Sequence, residues 1–343
     1  MRRFLILLLL VSLPVISLAD TTLTLSFTGD VTLGSEEWVR LKENSFDSVA
    51  AREGYDYFFR NFTPLFSADD YTVVNLEGVL SDSPAGEKTS KQYRFRGPVD
   101  FADILVRSSI ESVNVSNNHS QDYSAQGFED TKNALTSHGV HYFGYSAYDI
   151  LEKDGIRIAF FGLVSPKFMS HFPGCREEIR RLKAEEGVNF VVFTFHAGAE
   201  YGRYRNSMQQ NYARKAIDAG ADLVIMHHPH VLQGMDIYKN RSIAYSLGNF
   251  CFGGNTAVRA IETALLQVDL TFADDGTYLG QQLRIYPAHI SGTNPDNNFQ
   301  PVLVSGEEAE AVMKLIQQDT KFDLEPFNPE LGYALQPYLP AEQ

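Results

Sequence analysis

Leu223-Val224-Ile225-Met226-His227-His228-Pro229-His230 sets an unbroken apolar run directly against three histidines and a proline. Four large apolar residues without polar alternation read as a strand covered on both faces, as at the centre of a buried sheet. Working outward, residues 190–196, 156–163, 112–115, 71–75 and 23–28 carry the same kind of short β-rich run. Helical spacing of apolar residues separates them at 99–107, 126–138, 176–186 and 207–219. Such alternation predicts an α/β core. Beyond Met226, runs at 235–238, 242–246, 263–270 and 279–286 predict a mostly antiparallel sheet, followed by a helix at 307–318. Two sheets sharing one core fit this order better than two separate domains. The expected organisation is a leader at 1–19, one domain at 20–320 and a Pro-rich tail at 321–343, packed on the domain or trailing it.

In α/β folds, functional groups gather where strands hand the chain to loops at one sheet edge. Five strand ends here carry unusual polar residues: Gly29-Asp30, Asn75-Leu76-Glu77, Asn117-Asn118-His119, His196 with Glu200 beyond it, and His227-His228-Pro229-His230. Taken singly, Asp30 reads equally as a turn or cap residue, and Asn117-Asn118 as a turn. In an extended segment His228 and His230 point the same way, because side chains alternate. Together with His196 and oxygen donors from the other strand ends, they suggest a dispersed metal site suited to Zn²⁺, Mn²⁺ or Fe. Arg94 and Arg96 also alternate, so both can face one side. They are candidates for gripping a substrate carboxylate or phosphate, or for pairing with nearby acids. Asn249 either faces the site or belongs to a tight turn with Gly248.

The chain carries 29 basic and 43 acidic residues, a net charge of −14. Its opening Met1-Arg2-Arg3, an apolar run from Phe4 to about Ile16, and small residues up to Ala19 read as a secretory leader. The run is shorter than the roughly 20 apolar residues of a membrane span. A secreted or periplasmic protein is therefore expected. Loss of Met1 to Ala19 removes two arginines and no acids, leaving 27 basic against 43 acidic residues, or −16. That excess argues against nucleic acid as a partner, and an anionic polymer would have to be met by a local basic patch or by metal. Cys175 and Cys251 are compatible with one disulfide or with two buried thiols.

Several stretches then occur in a characteristic order: Phe27-Thr28-Gly29-Asp30-Val31-Thr32-Leu33-Gly34, Asn75-Leu76-Glu77, Tyr93-Arg94-Phe95-Arg96-Gly97 and Asn117-Asn118-His119 with Asp122-Tyr123. His196 with Glu200-Tyr201, His228-Pro229-His230, Tyr245-Ser246-Leu247-Gly248-Asn249-Phe250 and Tyr286-Pro287 follow. Over residues 23–316 this order resembles the poly-γ-glutamate capsule-synthesis (CapA) family, itself similar to the calcineurin-like metallophosphoesterases. The resemblance implies a four-layer fold, two mixed sheets packed face to face and flanked by helices. It implies one or two divalent transition-metal ions held by Asp30, Glu77, Asn118, His196, His228 and His230. It further implies catalytic roles for His119 and Glu200, and substrate contacts from Arg94, Arg96, Asn75 and Asn249. Thr32 stands where those phosphoesterases place a histidine, and Glu77 where they place a bridging aspartate. Three functions follow as expectations: a metal-dependent hydrolase-type protein of poly-γ-glutamate synthesis or processing, a secreted phosphoesterase, or a non-catalytic polymer-binding scaffold. The implied partners are a γ-glutamyl or other anionic polymer and membrane-bound capsule-synthesis proteins.

Overall fold

The computed structural model describes residues 20–341, so the leader expected at 1–19 lies outside the described residues. Thr21–Thr32 is the spine of the larger sheet. It pairs in parallel with Tyr71–Leu76 on one side and antiparallel with Glu262–Phe272 on the other. Ser112–Asn114 and His141–Phe143 extend the parallel side, and Tyr278–His289 extends the antiparallel side. In the smaller sheet Ile156–Val164, Phe190–His196, Leu223–His227 and Arg241–Ala244 run parallel. Antiparallel Asp149–Lys153 and Met235–Tyr238 close its edges.

Strand alternation sorts the side chains into layers. In the smaller sheet Leu223 and Ile225, with Phe190 and Val192, enter a core shared with Leu23, Leu25 and Phe27 of the larger sheet. Their neighbours Val224, Met226, Val191 and Phe193 face the opposite way, against helices Phe168–Glu185 and Ser207–Asp218. The outer face of the larger sheet is covered likewise by Phe46–Glu53, Ala102–Arg107 and Ser124–Ser137. The order helix, sheet, sheet, helix is the four-layer arrangement expected. Each large aliphatic residue buried in these layers contributes about 1.5–3 kcal/mol.

Some elements differ from the sequence reading. The helix expected from Arg176 begins at Phe168 and passes through Pro173. Pro173-Gly174 reads locally as a stop, yet Phe168 and Phe172 stack on each other and against Phe195 and Phe193, and that packing carries the extra turns. Phe46–Glu53 was not anticipated; Ser45 caps it by accepting from the Ser48 amide at 3.0 Å. The tail is docked, with Ala334–Leu335 and Leu339–Pro340 adding antiparallel to Tyr278–His289. Asp30 does not sit in a turn. The first strand runs on to Thr32, and Asp30 lies between Asn75 and Asn249 on its two neighbours. Gly29 permits this close approach, since a Cβ there would stand 2.3 Å from the Gly248 carbonyl oxygen.

Cys175 is buried in the helix layer over the smaller sheet and Cys251 in the layer over the larger one. Two sheets separate them, far beyond the Cα spacing a disulfide can span. Both are free thiols, and burial pushes the Cys175 thiol up to about 11. A reducing agent is therefore expected to leave the thermal midpoint unchanged, and thiol titration should find two groups after unfolding and essentially none before. A shift of several degrees on reduction would contradict this placement.

Candidate metal centre

The ends of four strands converge between the sheets. Asp30 comes from the spine strand, Glu77 directly follows Tyr71–Leu76, and His196 and His227 end adjacent strands whose register pairs them directly. All four side chains are buried. The chain then turns sharply. His228 and His230 take φ values of 98° and 57° on either side of Pro229, which corrects the extended segment expected for them. Positive φ at non-glycine residues is strained and tends to occur where function demands it. The turn still aims both imidazoles into the cleft, with His228 Nδ1 3.0 Å from His196 Nε2.

Asparagines hold this cluster in place. Asn75 Nδ2 donates to Asp30 Oδ1 at 2.8 Å and lies 3.3 Å from His196 Nδ1, while its own Oδ1 accepts from Asn114. Asn249 Oδ1 meets His230 Nδ1 at 2.8 Å, which leaves Nε2 of that ring facing Glu77. Asn75 and Asn249, expected at a substrate, thus orient other site residues. Asp30 Oδ2 accepts from the His228 amide at 3.2 Å and stands 3.2 Å from His230 Nδ1. Burial opposes ionisation of Asp30, but the approach of His227 and His230 outweighs it and holds the carboxyl well below its usual range.

Glu77 is the exception to this order. Neither carboxylate oxygen has a hydrogen-bond partner, although the residue is fully buried. Its Oε1 faces three imidazoles, at 3.5 Å from His196 Nε2, 3.8 Å from His119 Nε2 and 3.9 Å from His230 Nε2. Burial drives its carboxyl well above the usual range. Burial likewise lowers His196 and His228, favouring the neutral imidazoles that bind metal. His230 is pushed up to about 10, where the charges of Glu77 and Asp30 overcome the effect of burial.

The donor atoms fall into three overlapping groups, each within 4.8 Å: Glu77 with His196 and His228, Asp30 with Glu77 and His230, and Glu200 with His228 and His230. Shared members make this one contiguous cluster. Oxygen and imidazole donors suit a divalent transition ion. The orphaned carboxylate fits such an ion, which would supply the partner its oxygens lack. Glu200 is solvent-exposed at the rim, beside the two histidines.

Three expected residues stand elsewhere or are committed to other partners. Asn118 is exposed, whereas Asn117 is buried, donating to the Leu76 carbonyl at 2.8 Å and accepting from the His119 amide. The structure therefore buries Asn117 beside the cluster and leaves Asn118, the residue expected as a ligand, at the surface. Arg94 pairs with Glu87 and donates to the carbonyls of Lys91 and Gln92. Arg96 is buried against Glu37, donates to the Ser81 carbonyl and lies over the Tyr123 ring. Both guanidiniums are committed to partners within the fold. Thr32, in the position of the missing histidine, donates to the Glu77 carbonyl at 2.8 Å and fixes that loop.

His119 lies at the mouth with a partner the sequence reading did not assign. Its Nδ1 meets Asp122 Oδ2 at 2.6 Å, and that carboxylate also accepts from the Phe95 amide and pairs with Lys91. The clue was the spacing: a carboxylate three residues after an imidazole can orient it. His227 was also unassigned; its Nδ1 approaches Asp30 Oδ1 to 3.4 Å without forming a hydrogen bond.

Residues 24–254 match the family described as bacterial capsule synthesis protein PGA_cap. Over 306 residues the chain is 28% identical to the PGA biosynthesis protein CapA of Bacillus subtilis (strain 168), across 83% of this chain and 78% of that one. It is 29% identical over 331 residues to the capsule biosynthesis protein CapA of Bacillus anthracis, across 90% and 76% of the two chains. A probable polyglutamine synthesis accessory protein of Mycobacterium tuberculosis (strain ATCC 25618 / H37Rv) is 22% identical over 261 residues, 66% of this chain and 67% of that one. The matched segment contains the whole cluster from Asp30 to Asn249, and the chain belongs to the bacterial capsule synthesis protein PGA_cap family.

Proposed function

We propose that this protein acts, after export, in the synthesis or processing of a poly-γ-glutamate capsule polymer, through a metal-dependent, hydrolase-type site. The observation that carries the metal reading is Glu77, a buried carboxylate with unpartnered oxygens facing three imidazoles. The polymer reading rests on family membership and on the names of the relatives. An ion held by Glu77, Asp30 and the histidines would neutralise charge building on a carbonyl or phosphoryl oxygen. Zn²⁺, Mn²⁺ and Fe²⁺ all suit these donors. Membrane-bound capsule-synthesis proteins are the natural partners of such an activity.

His119 is the proton carrier in this reading. Asp122 holds its Nδ1, so Nε2 is the atom presented to the cleft. Burial pushes this imidazole below its ordinary range, with Asp122 opposing the shift. Neutral at rest, Nε2 takes a proton from an attacking nucleophile and returns it to the departing group. A phosphoesterase reading uses the same donors, and the substrate panel below separates the two.

Glu77→Gln should abolish tight metal retention while keeping the fold, read by metal analysis and circular dichroism. In metal-free protein the sign is fixed by the raised carboxyl. The folded state holds that proton more tightly than the unfolded chain, so stability falls as pH rises above the free carboxylate range. The glutamine variant should lose this dependence and melt at or above the wild type at pH 8. In the wild type an entering ion displaces the Glu77 proton, so metal affinity should rise with pH. Equal metal content in wild type and variant would refute the assignment.

His119→Ala should retain metal and lose turnover by roughly 10²–10⁴-fold, the range for a general acid or base. Asp122→Asn should move the acid limb of the pH profile to lower pH, because Asp122 raises the imidazole. The substrates to try are γ-linked oligoglutamates, γ-glutamyl peptides and a generic phosphodiester. Full activity of metal-loaded His119→Ala would remove the residue from the mechanism.

A further inference from the structure

One depression at the mouth of the cluster is lined by Tyr93, His119, Glu200, Tyr201, His230 and Arg259, among others. Arg259 lies just beyond the family-matched segment and brings a permanent positive charge to that lining. Its surroundings differ from those of nearby arginines. Arg203 is paired with Glu262 and Arg205 with Asp319, and Arg94 and Arg96 are committed to Glu87 and Glu37. Arg259 instead meets phenols: Nη1 lies 3.4 Å from the Tyr201 hydroxyl, and the guanidinium stands 5.8 Å from the centre of that ring. Tyr93 lines the same depression. No carboxylate pairs with it among the described residues. In a chain with 43 acidic residues against 29 basic, an arginine left without an acid beside a reactive cleft has unused capacity for an anion.

Its placement is built. The Val258 amide donates to the Pro295 carbonyl at 2.8 Å, and Ala257 forms a bridge with Asp296. Asn297 donates through its amide to Thr256 O at 3.0 Å and through its side chain to Asn255 O at 2.9 Å. The backbone before Arg259 is thus pinned by a second loop. The Tyr201 amide donates to Pro229 O at 2.8 Å, which ties the phenol's backbone to the turn carrying His228 and His230. The backbone that carries Arg259 is therefore anchored beside the donor cluster, and the Tyr201 hydroxyl meets its guanidinium there.

We propose that Arg259, supported by Tyr93 and Tyr201, is the subsite that binds a free carboxylate of a γ-linked glutamyl chain while the neighbouring linkage lies at the metal cluster. The inference rests on the capsule-polymer reading above and deepens it. A γ-linked chain keeps one free α-carboxylate per residue, spaced regularly from each reacting amide, and a forked guanidinium matches it through two parallel hydrogen bonds. The phenols offer hydroxyls to the same group without adding negative charge.

The test is binding of a fluorescently labelled γ-linked oligoglutamate to the metal-loaded full chain, with the wild type, Arg259→Ala and Arg259→Lys compared. A second probe of equal length carries its α-carboxyls as amides. For the carboxylate probe, Arg259→Ala should weaken affinity by roughly 10–100-fold, as for a charge-assisted hydrogen bond. Arg259→Lys should recover part of the loss, since lysine keeps the charge but not the fork. The amide probe should bind the wild type weakly and be indifferent to either substitution. An unchanged melting curve for Arg259→Ala checks that this exposed residue has not altered the fold. Equal binding of the carboxylate probe by wild type and Arg259→Ala overturns the subsite and leaves the polymer reading standing. Absence of binding to wild type, with metal present, overturns both. Arg259-dependent binding of inorganic phosphate without oligoglutamate binding overturns the carboxylate assignment and favours a phosphoester substrate.

Discussion

Everything at the mouth of this fold is arranged around one unpaired charge. A carboxylate buried without hydrogen bonds costs several kcal/mol unless it is neutralised by a proton or a cation. Glu77 is such a group, and its oxygens face imidazole nitrogens at distances too long for direct bonds. Two states resolve the conflict. In one, Glu77 keeps a proton; in the other, an ion held among the donors would take that proton's place. The same geometry thus links metal content, local stability and pH.

Around that centre, neutral amides do the positioning. Asn114 holds Asn75, which holds Asp30 and stands beside His196; Asn249 holds His230. An amide can donate on one side and accept on the other without adding charge. Charged residues in these places would compete for the ion or repel it. The chain's other charges act at one remove, as Lys91 does by pairing with Asp122 behind His119.

The two-sheet core was readable because residues such as Leu223–Met226 and Phe190–Phe195 are apolar on both faces, a pattern only a covered strand produces. The His and Asp donors were readable because they fall where those strands end. What failed were choices between neighbours. Asn117 and Asn118 are the same residue type in sequence, and only the turn decides that the first is buried and the second exposed. Arg94 and Arg96 looked available because Glu37, which binds Arg96, is distant in the chain and approaches only through the fold. His228 and His230 do reach the site, but through a strained turn and not an extended strand. The helix start at Phe168 was hidden because aromatic stacking overrides the local stop signal of Pro173-Gly174.

The distribution of cations gives the last step. In a protein this acidic, most arginines are absorbed by carboxylates, and their presence in a motif says little about substrate. The informative arginine is one the fold sets beside the Tyr201 phenol, with no acid partner among the described residues and its preceding backbone pinned by a second loop. Glu200 and Arg259 both line the mouth, so the entrance carries both signs of charge. A chain of repeating carboxylates would be drawn to Arg259 and repelled by Glu200. Repulsion at Glu200 and pairing at Arg259 would bias how such a polymer lies across the donor cluster.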